Sequence, residues 1–188
     1  MQNTLETIKR IYPLKEPHLQ LLLKELKLVE LPKNHLVIEA EKVERSLYFI
    51  ETGIARAYLD GKDNRITFWF GHEGDTIFSY HSYIHNTPGY ENIELLENCR
   101  LYELKTDVLK ELYDTHAELA NWGRKLAELA LIKTEECYIA RLFKTAKERY
   151  IELLKTYPSL IQRVPLGVIA SYLGVTQVTL SRIRAEIK

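Results

Sequence analysis

Four side chains near the end of this chain have the chemistry to read a base-pair edge: Gln177, Ser181, Arg182 and Arg184. Arginine offers a planar fork of donors that matches the two acceptors of guanine. Glutamine pairs a donor and an acceptor with adenine, and serine serves either base. Such groups must stand on one face of a helix that enters the major groove, and the neighbouring residues build that helix. Ile169, Ala170 and Leu173 recur at helical spacing as the apolar face of a first helix. Ala170 is small where a second helix has to cross closely. Gly174 takes positive φ without steric cost, which suits a sharp turn. Thr176 is a good N-cap, and Leu180 and Ile183 form the buried stripe of the second helix. Thr176, Gln177, Val178, Thr179, Ser181, Arg182 and Arg184 are left as the outward set, where a recognition helix meets DNA. Residues 164–188 therefore read as a helix-turn-helix, with double-stranded DNA as the partner. An ordinary helical hairpin has no need of small residue, glycine and apolar pairs all in register.

Charge supports this once it is divided. The chain carries 26 Lys and Arg against 26 Asp and Glu, a net charge of zero that looks wrong for a phosphate-facing protein. Residues 139–188 hold nine Lys/Arg against three Glu, a balance of +6, so the first 138 residues carry −6. A basic end on an acidic body is a better phosphate signal than the total. At 188 residues and 46% hydrophobic, the chain can bury a core and still divide into a large and a small domain. There is no apolar run of about eighteen residues, and the start lacks a basic stretch followed by an apolar one. Neither secretion nor membrane contact is expected, and the expected location is cytoplasmic. Cys99 and Cys137 are isolated and read as buried thiols, in keeping with a reducing compartment. His81 and His85 are four apart with His72 upstream, but Pro88-Gly89 follows closely and the zinc set is incomplete, so no metal is expected. No nucleophile elbow, phosphate loop or dinucleotide glycine pattern occurs, so no enzyme is expected.

The elements that position these residues form three blocks. Residues 4–27 read as helical, interrupted by Pro13 and Pro17. From about residue 28 to 105 the pattern changes to short β runs, at 36–39, 46–51, 54–59, 65–70, 92–97 and 100–104. Turn signals such as Thr52-Gly53, Asp60-Gly61 and Pro88-Gly89 separate them. This spacing predicts a jelly-roll sandwich or barrel. A helix follows from Thr106 to about Tyr113, then a longer one from about Ala117. Along it Leu119, Trp122, Leu126 and Leu129 step by three, four and three, a coiled-coil seam that weakens at Lys133 and Glu136. Ala127, Ala130 and Leu131 add a second apolar set, enough for the barrel on one side and a second copy on the other. A homodimer through the seam is expected, since readers of two-fold operators work in pairs. The expected fold class is α+β: a jelly-roll sensor domain with N-terminal helices over 1–115, a dimerisation helix over 116–138 and a helix-turn-helix domain over 139–188.

In this order the whole chain resembles the Crp/Fnr superfamily of bacterial transcription regulators, most of all its short Bacteroidetes-type members. The shared ending comprises Leu153-Leu-Lys-Thr-Tyr157, Arg163-Val-Pro165, Ile169-Ala-Ser-Tyr-Leu-Gly174 and Thr179-Leu-Ser-Arg-Ile183. Glu51-Thr-Gly53 and Gly74-Asp75 add weaker signals. The resemblance implies a cyclic-nucleotide-binding-like barrel, a dimer, and an effector whose binding reorients the DNA helices. It also brings in RNA polymerase as a partner. Relatives often carry Glu where this chain has Val178, which cannot accept from cytosine but can touch a thymine methyl.

The ligand cassette departs from that pattern. Cyclic-nucleotide-binding members follow Gly-Asp with Gly-Glu for the ribose and an Arg for the cyclic phosphate. Here Phe78-Ser79 replaces Gly-Glu, and neither Arg nor Lys occurs between Arg65 and Arg100. A buried phosphate without a cation is poorly paired, so cyclic AMP is not expected to act. Phe78, Ser79, Tyr80, Tyr83, Tyr90 and Glu91 are the candidate pocket residues, with Lys133 as the one substitute cation. They read either as a site for an uncharged or cationic small molecule or as rings that plug the barrel. No cofactor is expected and the effector is left open. The alternative function is a ligand-binding or protein-interaction module whose helical end packs on a partner. The outward polar set argues against it, because protein-binding helices present apolar anchors.

Overall fold

A computed structural model describes residues 1–62 and 64–187 of the chain. Pro13 ends the first helix, α1 (Gln2–Ile11), and Pro17 opens the second, α2 (Glu16–Lys24), where a missing N–H costs nothing. Two four-stranded antiparallel sheets follow. One has the order β1 (Lys27–Leu31), β8 (Cys99–Lys105), β3 (Ser46–Thr52), β6 (Thr76–Ile77). The other has β2 (Leu36–Ile38), β7 (Asn92–Leu95), β4 (Ala55–Asp60), β5 (Arg65–Gly71). Their inner faces close on Ile38, Ile50, Ala55, Ala57, Ile77, Ile93, Leu95 and Leu101, the core of the expected jelly roll. β1 is an edge strand in which Val29 and Leu31 pack on the core while Leu28 and Glu30 are exposed, and β6 is two residues long. Glu51, at the end of β3, fastens α1 to the barrel by accepting from the Thr4 amide at 3.0 Å and hydroxyl at 2.8 Å.

A short helix, α3 (Tyr80–His85), interrupts the strands, and α4 (Thr106–Thr115) leads into the long α5 (Ala117–Phe143). The first half of α5 belongs to the core formed with α1 and the barrel. Leu119, Trp122 and Leu126 are buried with Ile8, Leu47, Phe49 and Leu104, and the Trp122 Nε1–H donates to the Ile8 carbonyl at 3.0 Å. Gly123 lets the helix press on Tyr113, since a Cβ there would lie 2.3 Å from the ring. This corrects the expected dimer seam: three of its four residues face the chain's own barrel, and only Leu129 is exposed, at 38%. A three-four spacing marks a helix face that is covered, and the same spacing results whether α1 and β3 or a second helix covers it. The large apolar side chains exposed on α5 lie further on, at Leu131, Ile132, Tyr138, Ile139, Leu142 and Phe143.

α5 also runs past the expected boundary at residue 138, ending at Phe143. Thr145 then caps α6 (Ala146–Thr156): its Oγ1 accepts from the Glu148 amide at 3.2 Å, and Glu148 accepts from the Thr145 amide at 2.7 Å. α7 (Pro158–Arg163), α8 (Leu166–Leu173) and α9 (Gln177–Ile187) complete the chain. Among the described residues no single helix is long and apolar enough to cross a membrane.

Candidate nucleic-acid interface and effector cassette

The turn between α8 and α9 is built as the residue types require. Gly174 takes φ +68°, and the amides of Gly174 and Val175 close on the carbonyls of Ser171 (3.1 Å) and Ala170 (3.0 Å). The Thr176 hydroxyl accepts from the Thr179 amide at 3.1 Å and starts α9. The two helices meet at 94°, within the range of helix-turn-helix pairs. Leu180 and Ile183 pack on Ile169, Ala170 and Leu173, backed by Tyr150, Leu153 and Leu160 from α6 and α7. That burial fixes the opposite face outward: Thr176, Gln177, Val178, Thr179, Ser181, Arg182 and Arg184 are all exposed.

The basic excess of this end is partly taken up inside the fold. Lys147 pairs with Glu186 at 2.7 Å and Lys144 with Glu152 at 2.8 Å, while an Arg149 Nη–H donates to the Leu173 carbonyl at 2.8 Å. Among the described residues Arg182 and Arg184 form no ion pair. On α9 both described arginines are thus left free of carboxylates among the described residues.

α8 docks against the outer strand β5, whose free edge needs partners. Ser171 supplies them: its hydroxyl donates to the Arg65 carbonyl at 2.6 Å and accepts from the Thr67 amide at 2.9 Å. Phe70 packs on Tyr172 and His72 on Tyr157, each with ring centres 5.0 Å apart. Arg163 closes the junction, reaching Glu73 at 2.7 Å and also pairing with Glu97. Burial would raise the Glu73 carboxyl pKa, but hydrogen bonds from Arg163 and from the Gly53 amide lower it from 4.5 to about 2. The same bonds raise the Arg163 pKa. Sequence reasoning missed this junction, because Ser171 and Arg163 were legible only as parts of a shared ending.

The cassette does not form the expected pocket. Ser79 caps α3, accepting from the Ser82 amide at 3.4 Å. Phe78 packs on Tyr80 and Tyr83, at 4.9 and 5.0 Å between ring centres, and belongs with α1, α4 and α5 rather than with the barrel interior. Lys110 lies 4.8 Å from the Tyr83 ring, and Tyr80 and Tyr90 are exposed. The rings therefore neither cage a ligand together nor plug the barrel. Ser79 and Glu91 are buried and packed under Gly89, where a Cβ would lie 2.8 Å from the Ser79 hydroxyl and 2.7 Å from the Glu91 carboxylate. The buried ionisable side chain of this cassette is thus a carboxyl group rather than a guanidinium.

Lys133 stands apart from it. Its ammonium meets Asp75 at 3.1 Å; burial opposes the charge, but the Asp75 carboxylate outweighs it and the Lys133 pKa is raised. A buried cation that sequence reasoning passed over, Arg56 on β4, is held by Glu94 of β7 through bonds of 3.0 and 2.7 Å. It is therefore committed to a carboxylate. His81 and His85 stack at 5.0 Å, and among the described residues no three His, Cys, Asp or Glu converge on a metal position.

Residues 28–116 match the family model of the cyclic nucleotide-binding domain. No curated protein sequence matches the chain. A solved chain from Eubacterium rectale assigned to the Crp/Fnr family superposes with a TM-score of 0.74 at 16% identity, covering 95% of this chain and 87% of its own. FixK2 from Bradyrhizobium japonicum gives a TM-score of 0.72 at 19% identity, over 86% of this chain and 84% of that one. The c-di-GMP-responsive global regulator CLP of Xanthomonas campestris gives 0.69 at 16% identity, over 92% and 91%. The chain shares the fold of these Crp/Fnr structures, and its residues 28–116 are similar to the cyclic nucleotide-binding domain. Within this fold, α5 runs from the barrel to the C-terminal helices, and α8 and α9 form a helical pair joined by a tight turn.

The junction makes a prediction about acid. The Glu73 pKa is depressed on folding, so its contribution is complete above about pH 4.5 and is lost as pH falls toward about 2. Urea unfolding followed between pH 5 and 2 should show stability falling, and Glu73→Gln should flatten part of that fall. An unchanged slope in Glu73→Gln would mean that the clamp contributes nothing.

Proposed function

We propose that this chain is a homodimeric, sequence-specific DNA-binding transcription regulator that does not respond to cyclic AMP. The observation that carries the reading is the exposed polar face of α9, held at 94° to α8 with Arg182 and Arg184 free of ion pairs among the described residues. A helix packing on a protein partner would place apolar anchors there, and Val178 is the lone one before the last turn. On this reading the barrel and its N-terminal helices, residues 1–115, are the sensor. α5 joins two copies, and residues from about 139 onward read DNA and, in an activator, stand near RNA polymerase.

The dimer is proposed through the second half of α5. Leu131 and Tyr138 are seven apart, as are Ile132 and Ile139, and Leu142 and Phe143 extend both rows. This heptad stripe lies uncovered, whereas the expected seam is already filled by the barrel. Leu142→Lys with Phe143→Lys is expected to give a folded monomer by light scattering and to weaken operator binding strongly. A double variant that is still dimeric would place the interface elsewhere.

Arg182 is assigned to a guanine, Gln177 to an adenine or a phosphate, and Val178 to a thymine methyl. Gel shifts against the DNA upstream of the protein's own gene, at two salt concentrations, test sequence-specific binding. Arg182→Ala should cost about 1–3 kcal/mol on the specific site and far less on random DNA. Equal losses on both would make Arg182 a phosphate contact.

The cassette supports the remaining part of the proposal. A cyclic phosphate placed there would meet buried Glu91 rather than an arginine, and Arg56 is already bound to Glu94. Stacking on an exposed ring contributes about 1–3 kcal/mol, which corresponds to millimolar binding or weaker. Calorimetry with cyclic AMP should show no micromolar binding. A micromolar dissociation constant would make the chain a cyclic-nucleotide sensor of altered chemistry.

A further inference from the structure

Outside the cassette, the fold holds a cavity of about 200 Å³ where the barrel meets the DNA-binding domain. Its walls come from β5, the second half of α5, α6 and α8, and none of residues 78–91 lines it. Trp69 and Tyr172 give it aromatic walls, and Lys133, Arg141 and Arg149 bring three cations. Lys133 is answered by Asp75. The two arginines are not answered by any carboxylate among the described residues. Arg141 lies 5.9 Å from the Tyr172 ring and donates only a long bond, 3.5 Å, to the Thr67 carbonyl. One Nη of Arg149 reaches the Leu173 carbonyl, but its fully buried Nε has no hydrogen-bond partner among the described residues. Buried donors in folded proteins are almost always satisfied, so an orphan guanidinium N–H beside a cavity marks a missing acceptor. Of the carboxylates around the cavity, Glu136 is exposed and Glu152 is bound by Lys144.

We propose that this junction cavity binds a small aromatic carboxylate, with the carboxylate on Arg149 and Arg141 and the ring against Trp69 and Tyr172. Arginine forks suit a planar two-oxygen anion, and aromatic walls suit a flat apolar body. Such a ligand would touch β5, α5, α6 and α8 at once. If the proposed regulator function holds, it would couple to the position of α9. The binding itself needs no DNA.

The chain carries its own reporter. Its two tryptophans are Trp69, at the cavity, and Trp122, which is fully buried in the sensor core. Benzoate, benzamide and inorganic phosphate should be titrated by tryptophan fluorescence and by saturation-transfer NMR. Benzoate is expected to bind, with the fluorescence change lost in Trp69→Phe. Benzamide, phosphate and the Arg149→Gln protein with benzoate should each be weaker by about tenfold or more. Arg141→Gln supplies a second variant should Arg149→Gln fail to fold. Arg182→Ala should bind benzoate unchanged, which separates this site from the DNA reading. No benzoate signal, equal binding of benzamide, or binding unaffected in both arginine variants would overturn the assignment.

Discussion

Apolar side chains on more than one face of α5 have to be covered, and the structure follows from how that demand is met along the helix. Its first half is covered by α1 and β3, with Trp122 as the central piece and its indole N–H satisfied by the Ile8 carbonyl. Its second half leaves six large apolar side chains in water. Contiguous exposed patches of that kind mark association surfaces. The position of the change is set by chain geometry: α1 reaches only the first few turns, and further along the barrel meets α5 through polar contacts, Asp75 with Lys133 and the Thr67 carbonyl with Arg141. Beyond them α5 projects toward α6 to α9. One helix thereby serves the barrel's core and, on the reading given above, the pairing of two DNA-binding ends.

The second constraint is the open edge of β5. An unpaired strand invites pairing with another chain, and here α8 covers it with a serine that both donates to and accepts from the strand backbone. Arg163, bound to Glu73 and Glu97, adds charge-assisted bonds between sequence-distant segments. These polar contacts sit beside apolar packing, since Ile54, Phe70 and Leu96 of the barrel are buried in one cluster with Leu160, Ile169 and Leu173, so the C-terminal helices are held both by bonds that can exchange with water and by a shared core. The cavity lies at this same boundary, so anything that enters it meets both parts of the molecule.

Much of this was legible in the residues. Gly174, Thr176 and the stripe of Leu180 and Ile183 specify a turn and a helix face by local rules, and each behaves as those rules require. The strands from 46 to 70 were readable for the same reason. What escaped needed three-dimensional information. The spacing of Leu119, Trp122 and Leu126 announces a covered face without saying what covers it. Phe78, Tyr80 and Tyr83 are adjacent in sequence, yet they turn outward toward α4 and α5 because Ser79 caps a helix at that point. Lys133 was read as a cation for the cassette, while a one-sided view of α5 hid its pairing with Asp75. The junction of Ser171, Arg163 and Arg149 joins segments far apart in the chain, beyond the reach of periodicity.

The central claim is that two copies pair along the second half of α5 and present their α9 helices to successive major grooves. A pulsed dipolar distance between spin labels tests it most directly, using Ser181→Cys in a Cys137→Ser background, bound to operator DNA. The account requires a narrow distribution near about 34 Å, one turn of the duplex. Absence of dipolar coupling, or a distance unrelated to the helical repeat, would contradict it.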